Sequence, residues 1–224
     1  MSKTALVFGS TGLIGSYLVQ SLRKSNAYDK IVIFQRKAAA TLDPKTQYVQ
    51  LDFDKLTEYS NLIKGDDVFC CLGTTMRKAR SKPAFRKVDY EYPAEIGRLA
   101  KANGVGGYFL VSSIGADPAS PNFYLQTKGD TERALQQLNF LRLGIFRPSL
   151  LLGNRNESRF GERLAQSFYP LFHWLLQGEL KKYRGIPASD VAKAMVYVAV
   201  HGCESKIILS DKISEIAELS TITN

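Results

Sequence analysis

Apolar positions along the chain fall into two rhythms. Short runs rich in β-branched and aromatic residues read as buried strands: 4–8, ending at Phe8-Gly9, and 30–34, Lys30 to Phe34. Between them Leu13, Ile14, Tyr17, Leu18 and Leu22 recur at helical spacing, which predicts a helix over 13–22. The alternation continues. A brief third strand is expected over 48–51. Leu56, Tyr59, Leu62 and Ile63 then mark a helix that Gly65 ends. A fourth strand is expected over 67–72, and one long periodic helix over 83–102, stopped by Asn103-Gly104. Strand five covers 107–112, a helix 124–138, and strand six 141–146, stopped by Arg147-Pro148. Helices over 162–176 and 189–200, a short last strand over 206–209 and a C-terminal helix complete the pattern.

Strands that alternate with helices predict the α/β class: a doubly wound parallel sheet covered on both faces, with a small C-terminal helical, substrate-side portion. No repeat, low-complexity tract or linker interrupts the pattern, so one domain over 1–224 is expected, with substrate-side elements mainly from 149–190.

Charge adds to this picture. Thirty Lys and Arg against 21 Asp and Glu give a net +9, which asks for anionic partners such as phosphorylated ligands, a membrane surface or nucleic acid. Nucleic acid is the weakest of these, since no aromatic platform is interleaved with the cations. Arg77, Lys78, Arg80, Lys82, Arg86 and Lys87 form a basic cluster after strand four. It reads either as a solvated loop and helix start or as a flap that holds phosphates or an acidic substrate. Cys70, Cys71 and Cys203 show neither metal spacing nor a disulfide framework, so no metal and a reducing, cytoplasmic setting are expected. Cys70 and Cys71, adjacent on a strand, should point to opposite faces. No signal peptide is expected before the first strand. The later apolar stretch 168–176 is too short to span a bilayer, and Tyr169, Phe172, Trp174 and Leu175 are expected to wall a pocket or core. His173 and His201 lack ligand partners nearby in sequence and read as structural or surface residues.

Candidate chemistry begins at Gly9, Gly12 and Gly15, a G-x-x-G-x-x-G loop between the first strand and the first helix. In that context Gly9 allows the tight turn, Gly12 lets backbone approach a pyrophosphate, and Gly15 lets helix and sheet pack closely. The helix start adds free N–H groups and the positive end of the dipole. Strand two ends in Gln35-Arg36-Lys37, with no acid to hold a ribose 2′-OH and two cations suited to a 2′-phosphate. NADPH is therefore preferred over NAD. Asp52, after strand three, is placed to meet the adenine edge, and Gly73, after strand four, lets backbone pass beside the cofactor.

Tyr124 and Lys128 stand at i and i+4 and share a helix face. A phenol that ordinarily titrates near 10 works at neutral pH when an ammonium favours its phenolate. Such a pair exchanges a proton with a carbonyl or alcohol oxygen. Ser112 and Ser113, at the carboxyl end of strand five, can hydrogen-bond the same oxygen.

In these features the chain resembles the short-chain dehydrogenase/reductase superfamily. More closely it resembles the atypical branch that includes the Tat-interacting-protein oxidoreductase-like proteins. The resemblance rests on Gly9 to Gly15, Phe34 to Lys37, Cys70 to Thr75, Val88-Asp89, Ser112 to Asp117, Tyr124 to Gly129, Phe146 to Pro148 and Arg155 to Glu162. It covers nearly the whole chain and weakens after about Leu180. It implies an NAD(P)-binding Rossmann fold with bound NADPH. The cofactor set it implies, with the residues read above, is Gly9, Ser10, Thr11, Gly12, Leu13, Ile14, Gly15, Arg36, Lys37, Asp52, Leu72, Gly73, Thr74, Ser112, Tyr124, Lys128, Leu151 and Arg159. The catalytic set is Ser113, Tyr124 and Lys128, with Ser113 preferred to Ser112. The backbone of Leu151 and the side chain of Arg159 would border the nicotinamide. The implied activity is oxidation or reduction of a small carbonyl or alcohol. The alternative is an NADPH-binding regulatory or protein-interaction module with little turnover. The helices starting at Pro83 and Tyr124 are where related enzymes dimerise, which makes a homodimer or a protein partner an expectation. The chain is shorter than the sugar-nucleotide epimerases, which argues against a nucleotide-sugar substrate.

Overall fold

The computed structural model describes residues 3–37, 39, 43–153 and 183–222. Seven parallel strands form one sheet: β1 (Thr4–Phe8), β2 (Lys30–Gln35), β3 (Thr46–Gln50), β4 (Asp67–Cys70), β5 (Gly107–Val111), β6 (Arg142–Arg147) and β9 (Ile207–Leu209). Their order is β3-β2-β1-β4-β5-β6-β9, so the winding reverses between β1 and β4. Such a reversal opens a crevice at the carboxyl ends of the strands, where sheets of this kind take ligands. β7 (Leu151–Leu152) and β8 (Ile186–Pro187) form a separate parallel pair beyond β6.

Each central strand is apolar on both sides because helices cover both faces. On one face α1 (Leu13–Lys24), α6 (Ala188–His201) and α7 (Ser210–Ile222) bury Val7, Ile33, Phe69 and Phe109. On the other, α4 (Tyr92–Ala102) and a 3-10 helix (Phe53–Leu62) bury Leu6, Phe8, Val68 and Tyr108. Cys70 belongs to the second core and Cys71 packs against the first, the opposition expected of adjacent strand residues. At the amino edge of the sheet Asp67 is fully buried. Tyr28 Oη donates to its Oδ2 at 2.7 Å, and Arg142 Nη2 lies 3.0 Å from its Oδ1. A Cβ on Gly107 would fall 2.0 Å from that carboxylate. This cluster sits at the far end of the sheet from the crevice and ties strands together.

Several expected elements shift. The helix marked by Leu56 to Ile63 is 3-10, with a kink at Lys55. Strand four stops at Cys70, because Cys71 leaves the sheet at the close approach of Gly9. The single helix over 83–102 is three pieces: α3 (Lys82–Arg86), a π turn (Lys87–Glu91) and α4. A short helix, α2 (Met76–Ala79), precedes them. Asn103 caps α4 and Gly104 follows at φ +80°, the stop expected there. The helix over 124–138 is α5 (Phe123–Gln137). The helix expected over 162–176, with Tyr169, Phe172, His173, Trp174 and Leu175, lies outside the described residues.

Candidate functional site

The loop from Gly9 to Gly12 leaves β1 and enters α1 at the reversal point. Gly9 takes φ +87°, and a Cβ there would come within 2.6 Å of the Cys71 carbonyl carbon. A Cβ on Gly15 would lie 2.1 Å from the Gly9 carbonyl oxygen, so helix and loop touch through backbone alone. Gly12 caps α1 without a side-chain bond, and no acid stands in the first turn. The N–H groups of Leu13, Ile14 and Gly15 find no acceptor among the described residues. Three orphan donors at the positive end of a helix dipole, beside the exposed Thr11 and Gly12, form a cradle for a phosphate. The pyrophosphate of a dinucleotide fits this cradle. A Cβ on Gly153 would meet Leu13 Cδ1 at 3.1 Å, so the turn after Leu151 hangs over the start of α1.

Arg36 and Lys37 follow β2 and are both exposed. Arg36, Gln50, Leu51, Asp52 and Tyr59 line an open pocket of about 440 Å³. Asp52 follows β3, and its Oδ1 accepts from Asp54 N at 3.0 Å and caps the 3-10 helix. Leu72, Gly73 and Thr74 line the carboxyl end of β4, with Gly73 exposed. A Cβ on Gly73 would face Asp89 Oδ1 at 3.5 Å and Lys128 Nζ at 3.8 Å.

That contact leads to the centre of the site. Asn122 caps α5 by accepting from the N–H groups of Tyr124 and Leu125, which fixes Tyr124 in the first turn. Its ring packs against the buried Phe85 at 5.7 Å, and its hydroxyl has no hydrogen bond among the described residues. One turn on, the Lys128 side chain is only 8% exposed, and its Nζ lies 2.8 Å from Asp89 Oδ1. Asp89 Oδ2 accepts from Thr74 N at 2.8 Å, and the Asp89 carbonyl accepts from Thr131 Oγ1 at 2.7 Å. Burial pulls the Lys128 ammonium toward its neutral form. Asp89 first, and then Tyr124, outweigh that pull and hold its pKa above the usual lysine value. Gly129 is why α5 comes so near the strand-five loop: a Cβ there would lie 2.2 Å from Pro118 N.

The two serines have different surroundings. Ser112 is buried and its hydroxyl donates to Glu132 Oε1. Glu132 is also held by Arg147 on β6, with Nε to Oε1 at 2.9 Å. Ser113 Oγ has one weak contact, 3.3 Å to the Ile114 carbonyl, and is partly exposed. The Glu132–Arg147 pair therefore occupies Ser112 and leaves the Ser113 hydroxyl available. Arg159 lies outside the described residues.

Sequence reasoning did not select Asp89, Glu132 or Arg147 as site residues. Asp89 lies within one of the segments that carry the family resemblance, and a carboxylate midway along an otherwise apolar helix stripe was the signal available for it. α4 and α5 carry i,i+3 ion pairs on their surfaces, Glu95–Arg98 and Asp130–Arg133. Among the described residues no group of three His, Cys, Asp or Glu could hold a metal, and no helix is long and apolar enough to cross a membrane.

A family model described as NAD(P)H-binding matches residues 9–201. Protein HTATIP2 of Rattus norvegicus is 40% identical over 172 residues, 75% of this chain and 71% of that protein. The Candida albicans protein named FMP52, mitochondrial, is 34% identical over 220 residues, 94% of this chain and 93% of the relative. Among solved structures, the oxidoreductase ylbE from Lactococcus lactis superposes with a TM-score of 0.67 at 17% identity, covering 99% of this chain and 97% of that one. MoeE5 in complex with UDP-glucuronic acid and NAD gives 0.70 at 19% identity, covering 97% and 82%. These two likenesses speak to the fold.

Proposed function

From its membership of the NAD(P)H-binding family, to which this chain belongs, we propose that it is an NADPH-dependent oxidoreductase of small carbonyls or alcohols. The observation that carries the reading is the Tyr124 hydroxyl, unbonded and at the surface, one helical turn from a buried ammonium anchored by Asp89. When bound, the reduced nicotinamide supplies the hydride. Tyr124 gives its proton to the substrate oxygen as charge develops there, and takes it back in the oxidative direction. Lys128 stays charged and favours the phenolate that this leaves. Ser113 donates a hydrogen bond that orients the same oxygen. Asp89 holds Lys128 and, through Thr74 N, the loop after β4.

The dinucleotide would lie across the crevice. Ser10 to Gly15 would meet its phosphates, Leu72 to Thr74 its middle, and Leu151 and Arg159 the nicotinamide end. Asp52 and the pocket beside Arg36 would take the adenosine. The cytoplasm is our placement; the yeast relatives are named as mitochondrial proteins, and cell fractionation would decide. Incubating the protein with NADPH and a panel of aldehydes and ketones should oxidise the nucleotide well above background with at least one of them. Silence across the panel, with tight NADPH binding, would replace this reading with that of a binding module.

Two predictions test the assignments. The Arg36→Ala/Lys37→Ala protein should bind NADPH about 10- to 100-fold more weakly, with NADH within about twofold, by fluorescence titration. Each charge-assisted bond to a 2′-phosphate contributes about 1.5–3 kcal/mol before screening, and every 1.4 kcal/mol is about tenfold. Equal loss for both nucleotides would refute the 2′-phosphate role. Ser113→Ala should lower kcat/KM by about 100-fold at unchanged melting temperature. Ser112→Ala should instead lower the Tm by about 2–10 °C with kcat within about threefold, since Glu132 loses a buried donor worth about 1–3 kcal/mol. The reverse pattern would exchange the two roles.

A further inference from the structure

From Leu72 to Val88 the chain carries six cations and no carboxylate. The structure divides the six. Arg86 Nη1 pairs with Asp130 at 2.9 Å and Lys87 Nζ with Asp54 at 2.8 Å, so both are engaged in holding helices together. The remaining four, Arg77, Lys78, Arg80 and Lys82, are exposed, and Arg77 and Arg80 have no acidic partner among the described residues. Lys82 Nζ stands 5.3 Å over the ring of Phe123, the residue before Tyr124.

The segment has a defined local geometry. Thr75 caps α2 through a bond from Lys78 N at 3.2 Å. Arg80, at φ +65°, takes the left-handed conformation that ends α2. Ser81 then caps α3 through Ala84 N at 3.2 Å. Phe85 anchors the whole segment, fully buried with its ring 5.8 Å from Phe123 and 5.7 Å from Tyr124. Two capped turns thus carry Arg77, Arg80 and Lys82 on the segment whose Phe85 packs against the exposed tyrosine and whose Lys82 stands over its neighbour Phe123. Clustered like charges repel, and a bound anion would offset that repulsion.

We propose that Arg77, Arg80 and Lys82 form a substrate-anion site: the carbonyl substrate carries a carboxylate or phosphate that this rim holds while its carbonyl oxygen meets Tyr124. Arginine suits both groups through paired N–H donors. The proposal rests on the oxidoreductase reading and narrows its substrate class.

The test compares matched probes in the whole protein: 4-oxobutanoate against butanal, and glyceraldehyde 3-phosphate against glyceraldehyde, each with NADPH. Binding of succinate and of inorganic phosphate to the NADPH-saturated protein is measured in parallel by calorimetry. The expected result is a kcat/KM at least about tenfold higher for the charged member of one pair, shrinking at 0.5 M salt, where the Debye length falls to a few ångströms. In the Arg77→Ala/Arg80→Ala protein the charged-to-neutral ratio should fall by about tenfold, the matching anion should bind about tenfold more weakly, and the Kd for NADPH should stay within about twofold. Which pair responds tells a carboxylate from a phosphate. Equal handling of charged and neutral partners, or a double variant that keeps the preference, overturns the proposal. So does a variant whose main loss is NADPH affinity, because the rim then serves the cofactor's phosphates. If no aldehyde is turned over, the oxidoreductase reading fails, and the anion calorimetry decides the site by itself: no difference between parent and variant overturns it.

Discussion

Replacing Tyr124 by Phe should reduce turnover by about 100- to 10,000-fold while NADPH affinity stays within about twofold, the range a positioned proton donor contributes. The expectation follows from geometry. The ring of Tyr124 is held by Phe85 and by the Asn122 cap, contacts that phenylalanine retains. Its hydroxyl holds nothing together among the described residues, so its removal costs no structure. Stability and cofactor binding therefore report on folding, and turnover reports on the proton. Full activity in Tyr124→Phe would remove the mechanism and leave the dinucleotide site standing.

The second large effect is on stability. Asp89→Ala strands the Lys128 ammonium in a nearly closed environment and deprives Thr74 N of its acceptor. Breaking a buried pair from one side costs about 3–5 kcal/mol, whereas exchanging both members for apolar residues is often neutral. For a chain of this size the Tm of Asp89→Ala should fall by about 6–20 °C, and the Asp89→Leu/Lys128→Met protein should recover most of that. The pH dependence has a definite sign. The folded-state pKa of Lys128 is raised, so the stability its pairing contributes is complete below the unfolded value of about 10.4 and is lost as pH rises through the higher folded value. Calorimetry should show the full gap between parent and Asp89→Ala at pH 8 and a narrower one above about pH 10.4. A gap under about 2 °C at pH 8 would mean that Lys128 finds another partner.

The parts of this site that could be read from the chain are those coded locally. Gly9, Gly12 and Gly15 occur within seven residues of one strand–helix turn, and Tyr124 and Lys128 within one turn of helix. The parallel sheet followed from the alternation of elements, and because β1, β4 and β5 run the same way, their carboxyl ends bring the glycine loop, Gly73 and Ser113 to one end of the sheet. What was not legible depends on tertiary contact. Asp89 lies in a run that reads as continuous helix. The π turn Lys87–Glu91 changes the local register there, and the apolar period does not encode it. The different surroundings of Ser112 and Ser113 come from Glu132 and Arg147, on the next helix and strand, which engage Ser112. α2 escaped detection because four residues show no periodicity; its cap, Thr75, and the Ser81 that starts α3 emerge only in the structure. β7 and β8 have two residues each, and their pairing across residues 151 and 186 has no local signature.

The most direct test of the whole account is a side-by-side titration of the unmodified protein, stripped of nucleotide, with NADPH and NADH. The account predicts saturable NADPH binding with a Kd within or below the usual enzyme KM range of about 1 μM to 1 mM, and NADH at least about tenfold weaker. Equal affinity would contradict the role given to Arg36 and Lys37. No binding of either nucleotide at millimolar concentration would contradict the cradle at Gly9 to Gly15, from which every later step proceeds.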